Sequence, residues 1–282
     1  MQSCISHIRQ TLGQHYSSSE INGFIRIIFE SVCGYSLTDL ILYKNNILSD
    51  SLRKQIDKIV ERIDQNEPIQ YVLGRSLFCG ISFSVTPDVL IPRPETEELV
   101  ELITARHAGS APRILDMGTG SGCIAVSLAK KLPESRVEAW DISEKALQVA
   151  RKNAQENQAN VTFKQVDITR ELPPEAVQPY DIIVSNPPYV CLREKAEMER
   201  NVLDYEPHLA LFVPDEDPLL FYRAILRAGK RLLAEGGFIY FEINRMFGHQ
   251  TVSLLRQNGY EKTEIIQDLS GNDRMVAARL FP

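Results

Sequence analysis

The stretch Ile114–Ala129, ILDMGTGSGCIAVSLA, constrains this chain more than any other. An apolar run ends in Asp116-Met117, glycines follow at positions 118, 120 and 122, and an apolar run of helical period starts at Cys123. Glycine reaches backbone conformations closed to other residues, so alternate glycines allow a strand to turn directly into a helix and leave the loop without Cβ atoms. A strand feeding a helix through such a turn is the opening unit of a parallel, doubly wound sheet.

The sequence after it repeats that unit. Strands are predicted at Arg113–Met117, Val137–Asp141, Val161–Asp167, Asp181–Ser185, Phe238–Ile243 and Arg274–Leu280. Helices are predicted at Cys123–Lys131, from the cap Ser143 to about Asn157, and at Leu219–Leu233, the last ended by Gly236-Gly237, with one more helix before the C-terminal strands. Strand and helix in turn imply an α/β, Rossmann-like fold with a mostly parallel sheet.

The first part of the chain reads differently. Ile21, Phe24, Ile25, Ile28, Phe29 and Val32 form one apolar helical stripe, with N-caps offered at Ser17 to Ser19 and Gly34 as its C-terminal stop. Ile5, Ile8 and Leu12 make a shorter stripe, and Leu52, Ile56, Ile59, Val60 and Ile63 another, closed by Pro68. Residues 1–70 are therefore expected to be a small helical domain. Ile81, Phe83 and Val85 alternate with serines in a stretch punctuated by Gly74, Gly80 and Pro87, so a β-hairpin and Pro-rich connector is expected over residues 71–94. Pro92 and Pro94 argue against regular structure until a helix starts near Thr96, and the remaining domain is assigned to residues 95–282.

Composition narrows the function classes. The 282 residues are 44% hydrophobic and 24% charged, as in an ordinary globular protein, and no apolar run approaches a membrane span. A net charge of −6 gives no general footprint for nucleic acid. Five scattered cysteines with no C-x-x-C pair, and an N-terminus without a basic-then-apolar leader, are read as reduced thiols in a cytoplasmic protein. Neither the cysteines nor the five histidines have metal-ligand spacing, so no metal is expected.

The glycine loop is G-x-G-x-G, because Cys123 stands where the dinucleotide fingerprint needs its third glycine. That form suits a nucleoside cofactor without a pyrophosphate, with S-adenosylmethionine the leading candidate. Asp141 ends the second strand, where a doubly wound fold places a carboxylate able to accept from both ribose hydroxyls. Asp167, followed by apolar Ile168, ends the third strand and is placed to face the adenine.

The fourth strand runs into Asn186-Pro187-Pro188-Tyr189 in the same crevice. Pro187 keeps Asn186 out of helical conformation, and the prolines offer carbonyls but no N–H. Asn186 Oδ1 and the Pro187 carbonyl can thus accept two hydrogen bonds from one NH2 group, with Tyr189 as a flat wall beside it. An amide nitrogen is a poor nucleophile, its resonance reflected in a rotation barrier of roughly 18–20 kcal/mol. Two acceptors out of the amide plane favour a pyramidal nitrogen, and positioning supplies on the order of 7–11 kcal/mol. Asn186, Pro187, Pro188 and Tyr189 are the candidate catalytic residues.

These residues resemble the N-P-P-Y amino-methyltransferases, and within them the release factor glutamine methyltransferase family, PrmC or HemK. The resemblance rests on FCGISFSVTPDVLIPRPETEELV, LDMGTGSGCIAVSLA, DISEKALQVARKNA, DIIVSNPPYV, YEPHLAL and GGFIYFEI. The N-P-P-Y motif is shared with adenine-specific nucleic-acid methyltransferases, the main alternative. LIPRPETE separates the chain from the related enzyme that modifies a glutamine of a ribosomal protein.

The resemblance implies a seven-stranded class I S-adenosylmethionine-dependent methyltransferase sheet with one antiparallel strand. It implies that Gly118, Thr119, Gly120, Ser121 and Gly122 hold the methionine and ribose part of the cofactor, Asp141 the ribose, and Asp167 with Ile168 the adenine. Asn186 to Tyr189 would receive the glutamine of the Gly-Gly-Gln loop of class-1 peptide release factors, with Asn186 also bordering the cofactor. No direct contact with nucleic acid is expected. Arg93 and Glu95 leave two readings open, the cofactor's methionine end or a surface pair. Ile168 stands where the family often has an aromatic residue, Asn244 and Phe247 replace its usual glycine and glutamine, and LFVPDEDPLL lacks its usual glycines.

Overall fold

The computed structural model describes residues 1–170 and 178–281. In chain order the elements are α1 (Gln2–Leu12), α2 (Ser18–Cys33), α3 (Leu37–Leu42), α4 (Asp50–Asp64), α5 (Ile69–Leu73), β1 (Arg75–Phe78), β2 (Ile81–Ser84), α6 (Pro94–Arg106), β3 (Arg113–Met117), α7 (Cys123–Lys131), β4 (Arg136–Asp141), α8 (Glu144–Glu156) and β5 (Val161–Gln165). They continue with β6 (Tyr180–Ser185), β7 (Val190–Cys191), α9 (Arg200–Tyr205), β8 (Phe212–Val213), α10 (Leu220–Leu232), β9 (Leu233–Glu242), α11 (Gly248–Gln257), β10 (Tyr260–Gln267) and β11 (Asp273–Leu280).

The chain divides into two compact units, Met1–Gly74 with Glu199–Tyr205, and Arg75–Met198 with Glu206–Pro282. The hairpin β1–β2 thus groups with the sheet, and α9, distant in sequence, with the helices.

The first unit is built on the expected stripes, with Ile8, Leu12, Ile28, Phe29, Ile56, Val60 and Ile63 buried together. Ser17 caps α2 through a reciprocal box with Glu20, and Gly34 ends it in the left-handed conformation, φ 68°. Ser36 and Asp39 make the same box on α3, a helix too short and too exposed to leave an apolar stripe in the sequence. Tyr205 of α9 donates to the Gln65 carbonyl at 2.8 Å.

The second unit carries a sheet of seven strands among the described residues, in the order β10-β11-β9-β6-β3-β4-β5. Strand β11 runs antiparallel to β10 and β9, and the other neighbours are parallel. Side chains alternate between two cores: Ile114, Ile182 and Val184 pack with α6 and α7, while Leu115, Met117 and Ile183 pack with α10 and α11. Each such fully buried aliphatic side chain contributes about 1.5–3 kcal/mol. The order reverses between β3 and β6, which opens a crevice beyond their carboxyl ends.

Three expectations are corrected. Helix α6 starts at Pro94 itself, since proline at the first helical position has no N–H that the helix would use. Strand β5 stops at Gln165, and Asp167 lies in the turn beyond, its Oδ1 accepting from the Thr169 N–H at 3.0 Å. Helix α10 ends at Leu232, and Gly236-Gly237 sit inside β9, where the register against β6 jumps between Tyr180–Leu233 and Ile182–Phe238. There the glycines make a bulge, and a Cβ on Gly237 would lie 2.7 Å from Leu233 Cγ.

Candidate active site

Beyond the carboxyl ends of β3, β4 and β6 lies a cleft of ≈ 420 Å³. Its walls are Gly118, Thr119, Gly120 and Ser121 of the glycine loop, Asp141 at the end of β4, Asp167 and Ile168 of the turn after β5, Asn186, Pro187 and Pro188, and part of the connector before α6. Val166, Ile168 and Phe221 are apolar members of its lining.

The glycine loop is held from beneath by the neighbouring strand. Gly118 and Thr119 both donate their N–H to the Trp140 carbonyl, at 2.8 and 3.0 Å. Asp141, last residue of β4, accepts from the Gly120 N–H at 2.9 Å through Oδ2 and from the Ser143 N–H at 2.9 Å through Oδ1. Each carboxylate oxygen keeps a second lone pair, so Asp141 positions the loop and remains an acceptor. Burial raises its pKa, against the pull of those two N–H groups.

Not every glycine serves the cleft. Gly122 is absent from its walls; a Cβ there would meet Ala150 Cβ of α8 at 3.0 Å. Its glycine is required by close packing of α7 on α8 and by a φ of +81°. Asp116 also lies beneath the loop, fully buried, with Oδ2 accepting from Thr119 Oγ1 at 2.6 Å and Oδ1 without a hydrogen-bond partner among the described residues. Burial pushes its carboxyl up to about 7.

Asp167 lines the cleft, but its carboxylate is engaged locally, accepting from the Thr169 hydroxyl and pairing with Arg170 at 3.0 Å. The Thr169 hydroxyl is the main reason its pKa lies below the ordinary value.

At the end of β6, Asn186 Nδ2 donates to Thr96 Oγ1 at 3.1 Å. Thr96 Oγ1 in turn donates to Glu242 Oε2 at 2.6 Å, and Tyr189 donates its hydroxyl to Glu242 Oε1 at 2.9 Å. The register that pairs Ser185 with Phe241 brings the next residues, Asn186 and Glu242, to adjacent strand ends. Glu242 is 1% exposed, and burial raises its pKa, opposed by the two hydroxyls.

The Tyr189 ring does not wall the cleft as its place in the sequence had implied. It packs against the core beside α10 and anchors the loop through Glu242. Burial, then the neighbouring Glu242, raise its pKa well above the ordinary value, so it stays a neutral donor.

Arg93 lines the cleft and pairs with Glu206 at 2.5 Å. Glu95 is instead among the charges acting on Glu242 and Arg274. The two are therefore not a surface pair.

Two family models match the chain. Residues 3–74 match the PrmC N-terminal domain, and residues 94–204 the methyltransferase small domain. A release factor glutamine methyltransferase of Bacteroides thetaiotaomicron is 49% identical over 97% of this chain and 98% of its own. The chain belongs to the release factor glutamine methyltransferase family. A second member, from Flavobacterium psychrophilum, is 45% identical over 95% of this chain and 94% of its own. A crystallised methyltransferase of Pyrococcus furiosus shares the fold, with a TM-score of 0.54 at 19% identity over 79% of this chain and 98% of that one.

Departures from the family pattern have structural partners here. Asn244 donates to the Tyr189 carbonyl at 3.2 Å and to Glu194, and its Oδ1 caps the Met246 N–H at 3.0 Å. Phe247 packs with Cys191 and Val213 against Phe221, a cleft wall. Ile168 packs against the core beside α10 as well as lining the cleft.

Thr96, Glu242 and Asn153 also support the site, though no motif in the sequence marks their part in it. Asn153 is fully buried on α8, pairs with both backbone groups of Ser84 and donates to the Ser121 carbonyl at 2.8 Å. One signal was available: an asparagine on the face that carries Leu147, Ala150 and Ala154.

Proposed function

We propose that this chain transfers a methyl group from S-adenosylmethionine to the side-chain amide nitrogen of the glutamine in the Gly-Gly-Gln loop of class-1 peptide release factors. The observation that carries this reading is the placement of the Asn186 amide in the same cleft as Asp141 and the glycine loop. Its Nδ2 is committed to Thr96, so Oδ1 is the end left to accept.

The residues fit the cofactor. Gly118 and Gly120 present no Cβ to the cleft, where one would meet no atom of the described residues beyond its chain neighbours within 4 Å. Asp141 retains lone pairs for two ribose hydroxyls, and Val166 and Ile168, which follow β5, offer apolar side chains to a purine. When bound there, S-adenosylmethionine supplies an electrophilic methyl on a sulfonium.

The chain's own part is positioning. Asn186 Oδ1 and the Pro187 carbonyl accept the two N–H bonds of the glutamine amide and hold its nitrogen with the lone pair free. Asp167 takes a lesser part than Asp141, its carboxylate being engaged with Thr169 and Arg170. The extra proton on the methylated nitrogen leaves to solvent after transfer, so no general base is needed before the nitrogen has gained positive charge. A cytoplasmic location belongs to the same reading, supported by the five free cysteines.

The test is transfer of radiolabelled methyl from S-adenosylmethionine to a purified class-1 release factor, with its loop glutamine changed to alanine as control. Label on the wild-type factor alone is expected. Label persisting in the control would overturn the assignment.

A further inference from the structure

We infer that Glu242 and Thr96 are positioning residues which fix which end of the Asn186 amide faces the substrate. This rests on the reading of Asn186 as the acceptor for a substrate NH2 group.

An asparagine amide has a donor end and an acceptor end of nearly equal shape, so packing alone does not choose between them. The choice here is made by proton counting. The Glu242 carboxylate is acceptor-only, and its two oxygens take hydrogen bonds from Thr96 and Tyr189. Thr96 has a single hydroxyl proton and gives it to Glu242 at 2.6 Å, so toward Asn186 it has only lone pairs. The amide must therefore turn Nδ2 to Thr96, as found at 3.1 Å, and Oδ1 away from it. Reversed, the amide would set its oxygen against an oxygen and present a donor to a substrate donor.

The same carboxylate holds the far end of the loop through Tyr189, so Asn186 and Tyr189 are fixed from one buried point. Arg274, Glu95, Thr96 and Tyr189 are the charged and polar groups that act on Glu242. Arg274 is itself paired with Asp268 at 3.2 Å.

The experiment compares Thr96→Val, Thr96→Ser, Glu242→Gln and the Thr96→Val/Glu242→Gln double variant. Turnover on release factor is measured alongside cofactor affinity by calorimetry. Valine keeps the volume but removes the hydroxyl, and glutamine can turn a donor toward Thr96, which reverses the relay. Thr96→Val is expected to lower kcat roughly 100-fold while leaving KM and the cofactor Kd within about 3-fold. Thr96→Ser should recover most of that turnover, and the double variant should be little worse than Thr96→Val, because the relay is already cut.

A Thr96→Val enzyme within about 3-fold of wild-type kcat overturns the inference, as does a serine variant no better than valine. Neutron diffraction from perdeuterated crystals decides the matter without any substrate. Deuterium on the Asn186 atom facing Thr96 supports the relay, and its absence there overturns it. A wild-type enzyme that fails to label release factor defeats the functional reading alone.

Discussion

Glu206 and Arg93 lie 113 residues apart in the chain and meet at 2.5 Å, with the Glu206 side chain 1% exposed. The second Glu206 oxygen accepts from the Ile91 N–H at 3.1 Å, so one buried carboxylate holds the connector segment that lines the cleft. Arg93→Met leaves that carboxylate buried without its cation and should cost about 3–5 kcal/mol of stability, read by urea unfolding. Combining it with Glu206→Leu should recover part of the loss, because no unpaired charge is then buried. An Arg93→Met chain as stable as wild type would show that the pair is unimportant.

Asp141 holds the glycine loop and faces the cleft, so its removal has two consequences. Asp141→Ala should weaken cofactor binding roughly 100-fold or more, through loss of a charge-assisted acceptor and release of the Gly120 N–H. Asp141→Asn keeps one acceptor and should fall between the two. Titration calorimetry with S-adenosylmethionine checks the order, and equal affinities for all three proteins would refute it.

The fold was legible because its signals are local. Strand β3 and helix α7 run over the residues that periodicity marked, and the glycine turn between them is where composition placed it. What the sequence hid are contacts set by register. Nothing local in Tyr189 says that its hydroxyl will meet Glu242, 53 residues on, rather than face the cleft. Nothing local separates Gly122, packed under α8, from Gly120, open to the cleft. The Gly236-Gly237 pair looked like a helix stop because a bulge shows itself only against the neighbouring strand.

That contrast between glycines is measurable. In Gly122→Ala the new methyl meets Ala150 Cβ at 3.0 Å and Cα at 3.2 Å, at a φ of +81°. Left-handed strain of about 1–2 kcal/mol and overpacking of about 1–3 kcal/mol should combine in a clear fall in Tm. Gly120→Ala, with no atom of the described residues beyond its chain neighbours within 4 Å of its Cβ, incurs only the strain, and its methyl enters the cleft. Its larger effect should be on cofactor Kd. The reverse ranking, by melting and calorimetry, would show that the two positions are misassigned.

Asn186→Ala removes the proposed acceptor and leaves Asp141 and the glycine loop untouched. Turnover should fall by roughly 100-fold or more, while the cofactor Kd changes by no more than about 3-fold. Single-turnover label transfer with saturating release factor separates the two quantities. Near-normal transfer would mean that the substrate amide is held elsewhere.

Asp116 predicts a pH signature of stability. Its ordinary unfolded pKa is about 3.9, and burial places the folded value at about 7, with the nearby Asp141 charge adding to the rise. Between those values the folded chain holds a proton that the unfolded chain has lost, so this group lowers stability as pH rises from about 4 to about 7. The full effect, on the order of 4 kcal/mol, is reached above pH 7 and is absent below about pH 4, where both states are protonated. Asp116→Asn stays neutral throughout and can still accept from Thr119. Relative to wild type, it should gain stability steadily between pH 4 and 7 and hold that difference constant above. Denaturant unfolding at pH 5, 6, 7 and 8 tests this, and a difference independent of pH would rule out a raised carboxyl at this position.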